Sequence, residues 1–299
     1  MRRPWIRGAV LLAGVATMAS PLAAVAAPES PPAAVAPSDG DAQQQVDAIV
    51  AKYDKAMQDF STAYSSAKTP EERNKLFESK YPKTADYSKQ LLTIAKANPH
   101  TPAAMKAIGW VLSRDNNPQG ASGEAMKLLA QDYAADPGIA ESIKHLMWTS
   151  SPEAEPLFRA VIAKNPDHDA KGMATFMLGR YLKNHLDMVE SVKKNPAAAQ
   201  SLASAFGQDA VDLAKQSDPA AMEKEAVALF EQTEKDYGDI KGGFQGTLGK
   251  SAAAELFEVQ NLAIGKTAPE ITGTDIDGKP MKLSDFKGKV VVLDFFGDW

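Results

Sequence analysis

The chain has 299 residues, 33 basic and 38 acidic side chains for a net charge of −5, and no cysteine. That length exceeds one ordinary domain. The acidic balance, with no basic stripe, argues against a nucleic-acid partner. The missing sulfur excludes a structural disulfide and any thiolate chemistry carried by these residues alone.

Arg2, Arg3 and Arg7 precede an apolar run, Gly8 to Met18, and Leu22 to Ala27 follows Ser20-Pro21. A basic head, a short apolar middle and Ala24-Val25-Ala26 have the order of a secretory signal peptide cut after Ala26. Thr17, Ser20 and Pro21 interrupt the run, which falls short of the roughly 20 residues that span a bilayer. Arg2-Arg3 stands without the rest of a twin-arginine motif. Residues 1–26 are therefore expected to direct export to the periplasm or cell envelope, and to touch a membrane only while uncleaved. Their removal leaves 30 basic against 38 acidic residues, a net charge of −8. Residues 27–40 are rich in Pro and Ala without periodicity and are expected to form a disordered linker.

Residues 41–262 carry almost no strand signal and suffice for a core of their own. Val46, Ile49, Val50, Tyr53, Met57, Phe60 and Tyr64 share one helical face. Thr69-Pro70-Glu71-Glu72 has the order of a capping box with Pro at the first helical position. That short helix, with Leu76 and Phe77, ends at Pro82, and Tyr87, Leu91, Leu92 and Ile94 predict the next. Turns at 98–99, 136–137, 165–166 and 237–238 then separate helices predicted over Met105–Leu112, Ile139–Trp148 and Met173–Leu182. Successive spacings of 38 and 29 residues bracket the helix-pair period of tetratricopeptide-like arrays, although the Trp-Leu-Gly-Tyr consensus is not kept. Met188 to Asp218 reads as an exposed helix pair or an insertion. The glycine cluster Lys241 to Gly249 lacks the Gly-Lys-Ser/Thr order of a phosphate loop and reads as a turn. A last helix, Ser251 to Ala263, has Leu256, Phe257, Val259 and Leu262 as its apolar set.

Candidate chemistry in this region is thin. His100, His145, His168 and His185 show no i, i+4 pairing, so no metal site is expected, and each reads as a solvent or turn histidine. Asp167-His168-Asp169 reads as a helix-capping turn. Trp110 and Trp148, with Met105, Met147, Met173 and Met177, read as core. Glu71-Glu72 and Glu223 to Glu225 read as solvated helix faces or charge complements at helix starts.

Residues 263–299 differ in character. Asp277-Gly278 between two short segments predicts a hairpin over 271–283. Val290 to Phe296 is a continuous apolar, β-branched run and predicts a strand buried on both faces. Asp294 breaks that run: it is either a strand-end residue facing a loop or a buried carboxylate that must be paired, hydrated or protonated.

The order Gly-Lys-x-Ala-Pro, a hairpin with Asp-Gly, then Leu-Ser-Asp-Phe-x-Gly-Lys-Val-Val-Val-Leu-Asp-Phe resembles the start of a redoxin domain. Redoxins are thioredoxin-fold proteins of the thiol–disulfide oxidoreductase and alkyl hydroperoxide reductase kind. The ending Leu293 to Trp299 is also similar to the thioredoxin segment that runs directly into Cys-x-x-Cys. The resemblance covers about 36 of 299 residues. It implies that Asp294 moves protons for the second cysteine and that Phe296 and Trp299 border the reactive pair. It also implies activity on protein thiols or disulfides, a redox partner protein, a part in redox homeostasis or antioxidant defence, and no cofactor. Gly297-Asp298-Trp299 favours the Cys-x-x-Cys branch over peroxiredoxins. The cysteine itself is absent, so the sequence is expected to be the N-terminal part of a longer protein and inactive as it stands.

The expected fold is mainly α: an irregular tetratricopeptide-like helical array, then the truncated start, a hairpin and first core strand, of an α/β thioredoxin-like domain. The expected function is exported thiol–disulfide exchange; the alternative is an adaptor whose helical array binds a protein partner and whose redoxin remnant is not catalytic. A strand without neighbours promotes aggregation. Residues 27–299 are therefore expected to be less soluble than residues 27–262; equal solubility, with equal protease resistance of the tail, would contradict this.

Overall fold

The computed structural model describes residues 39–262, 266–295 and 297. The signal-like segment and most of the Pro/Ala-rich linker lie outside the described residues. Twelve α-helices and one short hairpin make up the described regular structure, with a few single turns of tighter or wider helix.

Helix α1 (Asp39–Ser66) buries Val46, Tyr53 and Phe60 on the face that the sequence periodicity picks out, while Tyr64 at its far end is exposed. Thr69 caps α2 (Pro70–Lys80): its hydroxyl accepts from Glu72 N–H, and the Glu72 carboxylate accepts from Thr69 N–H. The expected capping box is thus present. No residue of α2 is buried. Its Phe77 lies on the surface and stacks on Tyr81 with ring centroids 4.7 Å apart.

Helices α3 (Thr84–Ala97) and α4 (Pro102–Arg114) pack together and carry much of the main core. The asparagines at the turns have a definite task. The last carbonyls of a helix lack intrahelical donors. Asn98 donates through Nδ2 to Ile94 O at 2.9 Å. Asn165 is buried, and its Nδ2 reaches Ala134 O at 2.9 Å and Asp136 O at 2.8 Å. The buried Tyr133 hydroxyl accepts from His100 N–H at 3.1 Å. Three recurring turns are therefore fastened to one another as well as to their own helices.

Between these turns the helices are uneven. Helix α5 (Ala121–Leu128) runs into a single wide turn, Leu129–Tyr133, and α6 (Ile139–Ile143) into a single tight turn, Lys144–Leu146. The helix expected over Ile139–Trp148 therefore stops early, and Trp148, read as core, is 76% exposed. Helix α7 (Ala154–Lys164) packs on α8 (His168–Lys194), which Asp167 caps by accepting from Ala170 N–H at 2.8 Å. Helices α9 (Pro196–Phe206) and α10 (Gln208–Gln216) form the expected pair over 188–218. They share a small separate core with the end of α8: Val189, Val192, Leu202, Val211 and Ala214.

Helix α11 (Pro219–Tyr237) packs antiparallel to α8 through close glycine contacts. A Cβ at Gly172 would lie 2.4 Å from Ile240, and one at Gly179 would lie 2.8 Å from the Phe230 ring. The glycine cluster after α11 is a turn, as expected. It wraps the Ser251 hydroxyl, whose Oγ accepts from Phe244 N–H and Gln245 N–H, each at 3.1 Å. Two of the turn's amide donors are thus already occupied. Helix α12 (Leu248–Asn261) follows, crossing α11 where a Gly249 Cβ would stand 2.8 Å from Gly238 Cα. Leu256 and Val259 are buried on α12, whereas Phe257 and Leu262, expected beside them, are about half exposed at 51% and 56%.

An ion cluster fixes α12 against α8. Arg180 and Glu255 are 4% and 6% exposed and meet at 2.8 Å between Nε and Oε1. Arg180 Nη1 also donates to Met147 O at 2.8 Å. Its guanidinium lies 4.3 Å from the Trp148 ring centroid and 4.7 Å from that of Phe244. Lys183, one turn further along α8, bonds Glu255 at 2.5 Å and Glu258 at 2.6 Å. Trp148 is outside the core because its ring lies against a buried cation, an arrangement that helical periodicity does not register.

The hairpin forms as expected, with β1 (Thr272–Thr274) antiparallel to β2 (Pro280–Lys282) and Gly273 opposite Met281. The expected strand over 290–295 does not form. Val290, Val292 and Phe295 are 98%, 88% and 85% exposed, and no ladder runs through them. A buried strand draws its hydrogen bonds from neighbours on both sides, and among the described residues none lies alongside. The core strand of a thioredoxin-like sheet is thus not seen.

Four outcomes follow for stability, each read from urea denaturation. Gly249→Ala is expected to cost about 1–3 kcal/mol because its Cβ meets backbone. Gly109→Ala, whose Cβ finds only ordinary contacts, is expected to gain up to about 1 kcal/mol from helix propensity. Glu255→Gln leaves the Arg180 charge buried without its partner and is expected to cost about 3–5 kcal/mol. Joint replacement, Arg180→Met with Glu255→Leu, is expected to cost less than Glu255→Gln alone.

Candidate functional site

The tail after α12 is the part of the chain whose residue order points to chemistry. It is held near the helical body at its start, where Lys266 Nζ lies 3.4 Å from Glu223 Oε1. One of the acids read as a solvated face therefore has a partner. Glu225, beside it on α11, has another: Arg159 Nη1 and Nη2 meet its two oxygens at 2.7 and 3.0 Å.

The hairpin turn is built by Asp275. Its Oδ1 accepts from Asp277 N–H and Lys279 N–H, each at 2.9 Å, and Gly278 takes a φ of 79° that suits glycine. Glu270 Oε1 accepts from Ser284 N–H at 3.0 Å, and Ile271 O accepts from Leu283 N–H at 2.9 Å. Bonds from the Ser284 side chain and amide hold the Glu270 carboxyl below the usual carboxylate range. Asp285 Oδ2 accepts from Lys282 N–H at 2.9 Å and starts the single turn Leu283–Phe286. Every residue of the two strands is exposed, so backbone pairing and these short polar bonds hold the hairpin.

Asp294 follows on the unpaired segment and is exposed. The buried alternative for this carboxylate is thus not what the structure shows. Phe296 and Trp299, which the resemblance sets at the border of a reactive pair, lie outside the described residues, so the three are not seen together. The described tail offers a scaffold and a carboxylate. It offers no thiol, because the chain has no cysteine. Among the described residues no group of three or more His, Asp or Glu is placed to hold a metal ion, and no helix is long and apolar enough to cross a membrane.

In the helical body, sequence reasoning missed two features. One is the Arg180 cluster; its only sequence signal is a lone Arg and a lone Glu on the buried faces of their helices. The other is His185, read as a solvent histidine but 6% exposed on α8. Its Nδ1 lies 2.7 Å from Tyr181 O and its Nε2 3.4 Å from Ser150 O, and its ring stacks on that of Tyr181 at 3.9 Å. Burial pushes its pKa below the ordinary histidine value. His100, His145 and His168 are exposed, as expected.

Known proteins give a short match. A stretch of 40 residues, 13% of this chain, is 50% identical to the thiol-disulfide oxidoreductase ResA of Bacillus thuringiensis subsp. konkukian and covers 23% of that protein. A stretch of 53 residues, 17% of this chain, is 40% identical to the protein of the same name from Geobacillus thermodenitrificans and covers 30% of it. The chain thus spans less than a third of the length of these relatives. No family model and no solved structure matches the chain. Over the matched stretch the chain is similar to thioredoxin-like redoxins, whose named activity is thiol–disulfide oxidoreduction.

Proposed function

We propose that this chain is part of an exported thiol–disulfide oxidoreductase in which an α-helical domain precedes a thioredoxin-like module. One observation carries the reading: 50% identity to ResA over 40 residues. We assign that match to the tail, because the redoxin order of residues occurs at 264–299 and nowhere else in the sequence. The hairpin over 272–282 and the Asp275 turn support this assignment. The helical body supports the two-part organisation, since α12 ends at Asn261 and the exposed tail follows.

In the proposed reaction one cysteine thiolate attacks a substrate disulfide, forming a mixed disulfide and releasing one substrate thiolate. A second thiol loses its proton and displaces the other substrate sulfur. Two electrons pass to the substrate, and the enzyme pair becomes a disulfide. Neither thiol is among these 299 residues. Asp294 is assigned the proton from the second thiol, which requires that neighbouring strands close over it. Phe296 and Trp299 are assigned to the rim of the pair. The substrate is a protein disulfide or thiol, and a redox partner protein restores the enzyme. Arg2, Arg3 and Arg7 before an apolar run support export, to a compartment where disulfide exchange is normal.

Reduction of insulin, followed by turbidity with dithiothreitol as electron donor, tests the proposal. The 299-residue chain is expected to give only the background rate. The product of the complete reading frame is expected to accelerate the reaction, and Asp294→Asn in that product to slow it by on the order of 10²-fold. A complete reading frame whose product has no cysteine pair and no activity would remove the proposal.

A further inference from the structure

His185 is closed off from water by a weakly attached part of the fold. Its ring stacks on Tyr181, with Nδ1 2.7 Å from Tyr181 O and Nε2 3.4 Å from Ser150 O. A neutral ring has one N–H, and the shorter contact takes it. One small cavity is lined by His185, by Leu202 and Phe206 of α9, and by Ala210 and Ala214 of α10. Its enclosed space is about 40 Å³, room for a water or two. The helix pair is thus one wall of the ring's enclosure.

That wall rests on a core of its own. The cluster that holds it is Val189, Val192, Leu202, Val211 and Ala214, and no residue of α9 or α10 belongs to the main core. The pair joins the body at Asn195, after α8, and at Ser217-Asp218, before α11. A unit with few buried apolar contacts opens at a lower free energy than the whole fold.

The enclosure favours a neutral ring. Besides His185, its titratable side chains are Glu155 of α7 and Tyr181 of α8. The Glu155 carboxylate is already paired with Arg159 at 2.8 Å. Helices α9, α10 and α11 present no titratable group to the cavity. A charge buried without a free counter-ion is costly. Burial outweighs the pull of the two carbonyls and of Glu155, and it lowers the His185 pKa. Once the wall opens, the ring meets water and returns to the ordinary value of about 6.5.

We propose that α9 and α10 form an acid-opened lid, closed over a neutral His185 and released when that ring takes a proton. The direction follows from linkage. Above the ordinary histidine value the ring is neutral in both forms, and closure has its full strength. Below that value the open form binds a proton that the closed form refuses. Opening therefore rises by about tenfold per pH unit until the closed form's own pKa is reached. Release bares the apolar side chains of Val189, Leu202 and Val211, so acid creates an apolar surface. The lid is independent of thiol chemistry and of the tail.

Native-state hydrogen exchange of the full 299-residue chain tests the lid at about pH 7.5 and about pH 5.5, either side of the ordinary histidine value. Rates are corrected for the pH dependence of free amides. The opening equilibrium read at the amides of Leu202, Val211 and Ala214 is expected to rise about tenfold in acid. His185→Asn keeps a donor toward Tyr181 O but does not titrate, and its lid is expected to open equally at both pH values. Ring resonances of the unsubstituted chain, which need no variant, are expected to show His185 titrating below the ordinary histidine value. Equal opening at the two pH values, or tighter closure in acid, would overturn the proposal. So would a His185 titration at or above the ordinary value, or a rise in opening that persists in His185→Asn.

Discussion

A guanidinium held out of water is the constraint on which the helical body depends. Arg180 is fixed by Glu255, by the Met147 carbonyl and by two aromatic rings. Removing a charge from solvent is expensive, and the expense is offset only when geometry and hydrogen bonds are both good. Here one side chain on α8 meets the turn after α6, the glycine turn through Phe244, and the middle of α12. The arrangement fixes where α12 lies and so where the tail leaves the body. The glycine turn supports it in its own way: Ser251 Oγ accepts from the Phe244 amide and so holds that ring's backbone in place. The close approach of Gly249 to Gly238 brings α12 near enough to α11 for the contacts to coexist.

Two bodies of different strength result. The helices bury a continuous core that runs from Ala42 on α1 to Val259 on α12, and their turns are bonded to one another through Tyr133 and Asn165. Among the described residues the tail buries none of its apolar side chains. Its hairpin survives because Asp275 and Gly278 specify the turn locally, whereas a strand such as 290–295 needs neighbours to be a strand at all. An apolar run this exposed is a surface in want of cover.

What the sequence disclosed follows the range of the forces involved. Local signals were legible: the Thr69 capping box, the Asp167 cap, the Asp-Gly hairpin and the apolar face of α1 all depend on residues a few positions apart. The helix expected through Trp148 ended early because Trp148 is used by Arg180, 32 residues further on. His185 carried no signal, since a buried histidine set against backbone carbonyls, of which a neutral ring can bond only one, has no side-chain partner to be seen in a sequence. The strand over 290–295 was misjudged for the opposite reason. Its β-branched composition is real, but composition states a preference and not the presence of neighbours. Of the three residues that the redoxin resemblance singles out, only Asp294 is described, and it is exposed.

Native-state hydrogen exchange would test most directly whether the buried Arg180 cluster makes α8 and α12 one cooperative unit distinct from the tail. The amides of α12 from Ala252 to Val259 should exchange only through global unfolding, at the same free energy as those at the centre of α8, while amides from Val290 to Phe295 exchange at nearly the rate of free peptide. Early exchange of α12 together with the tail would contradict the account.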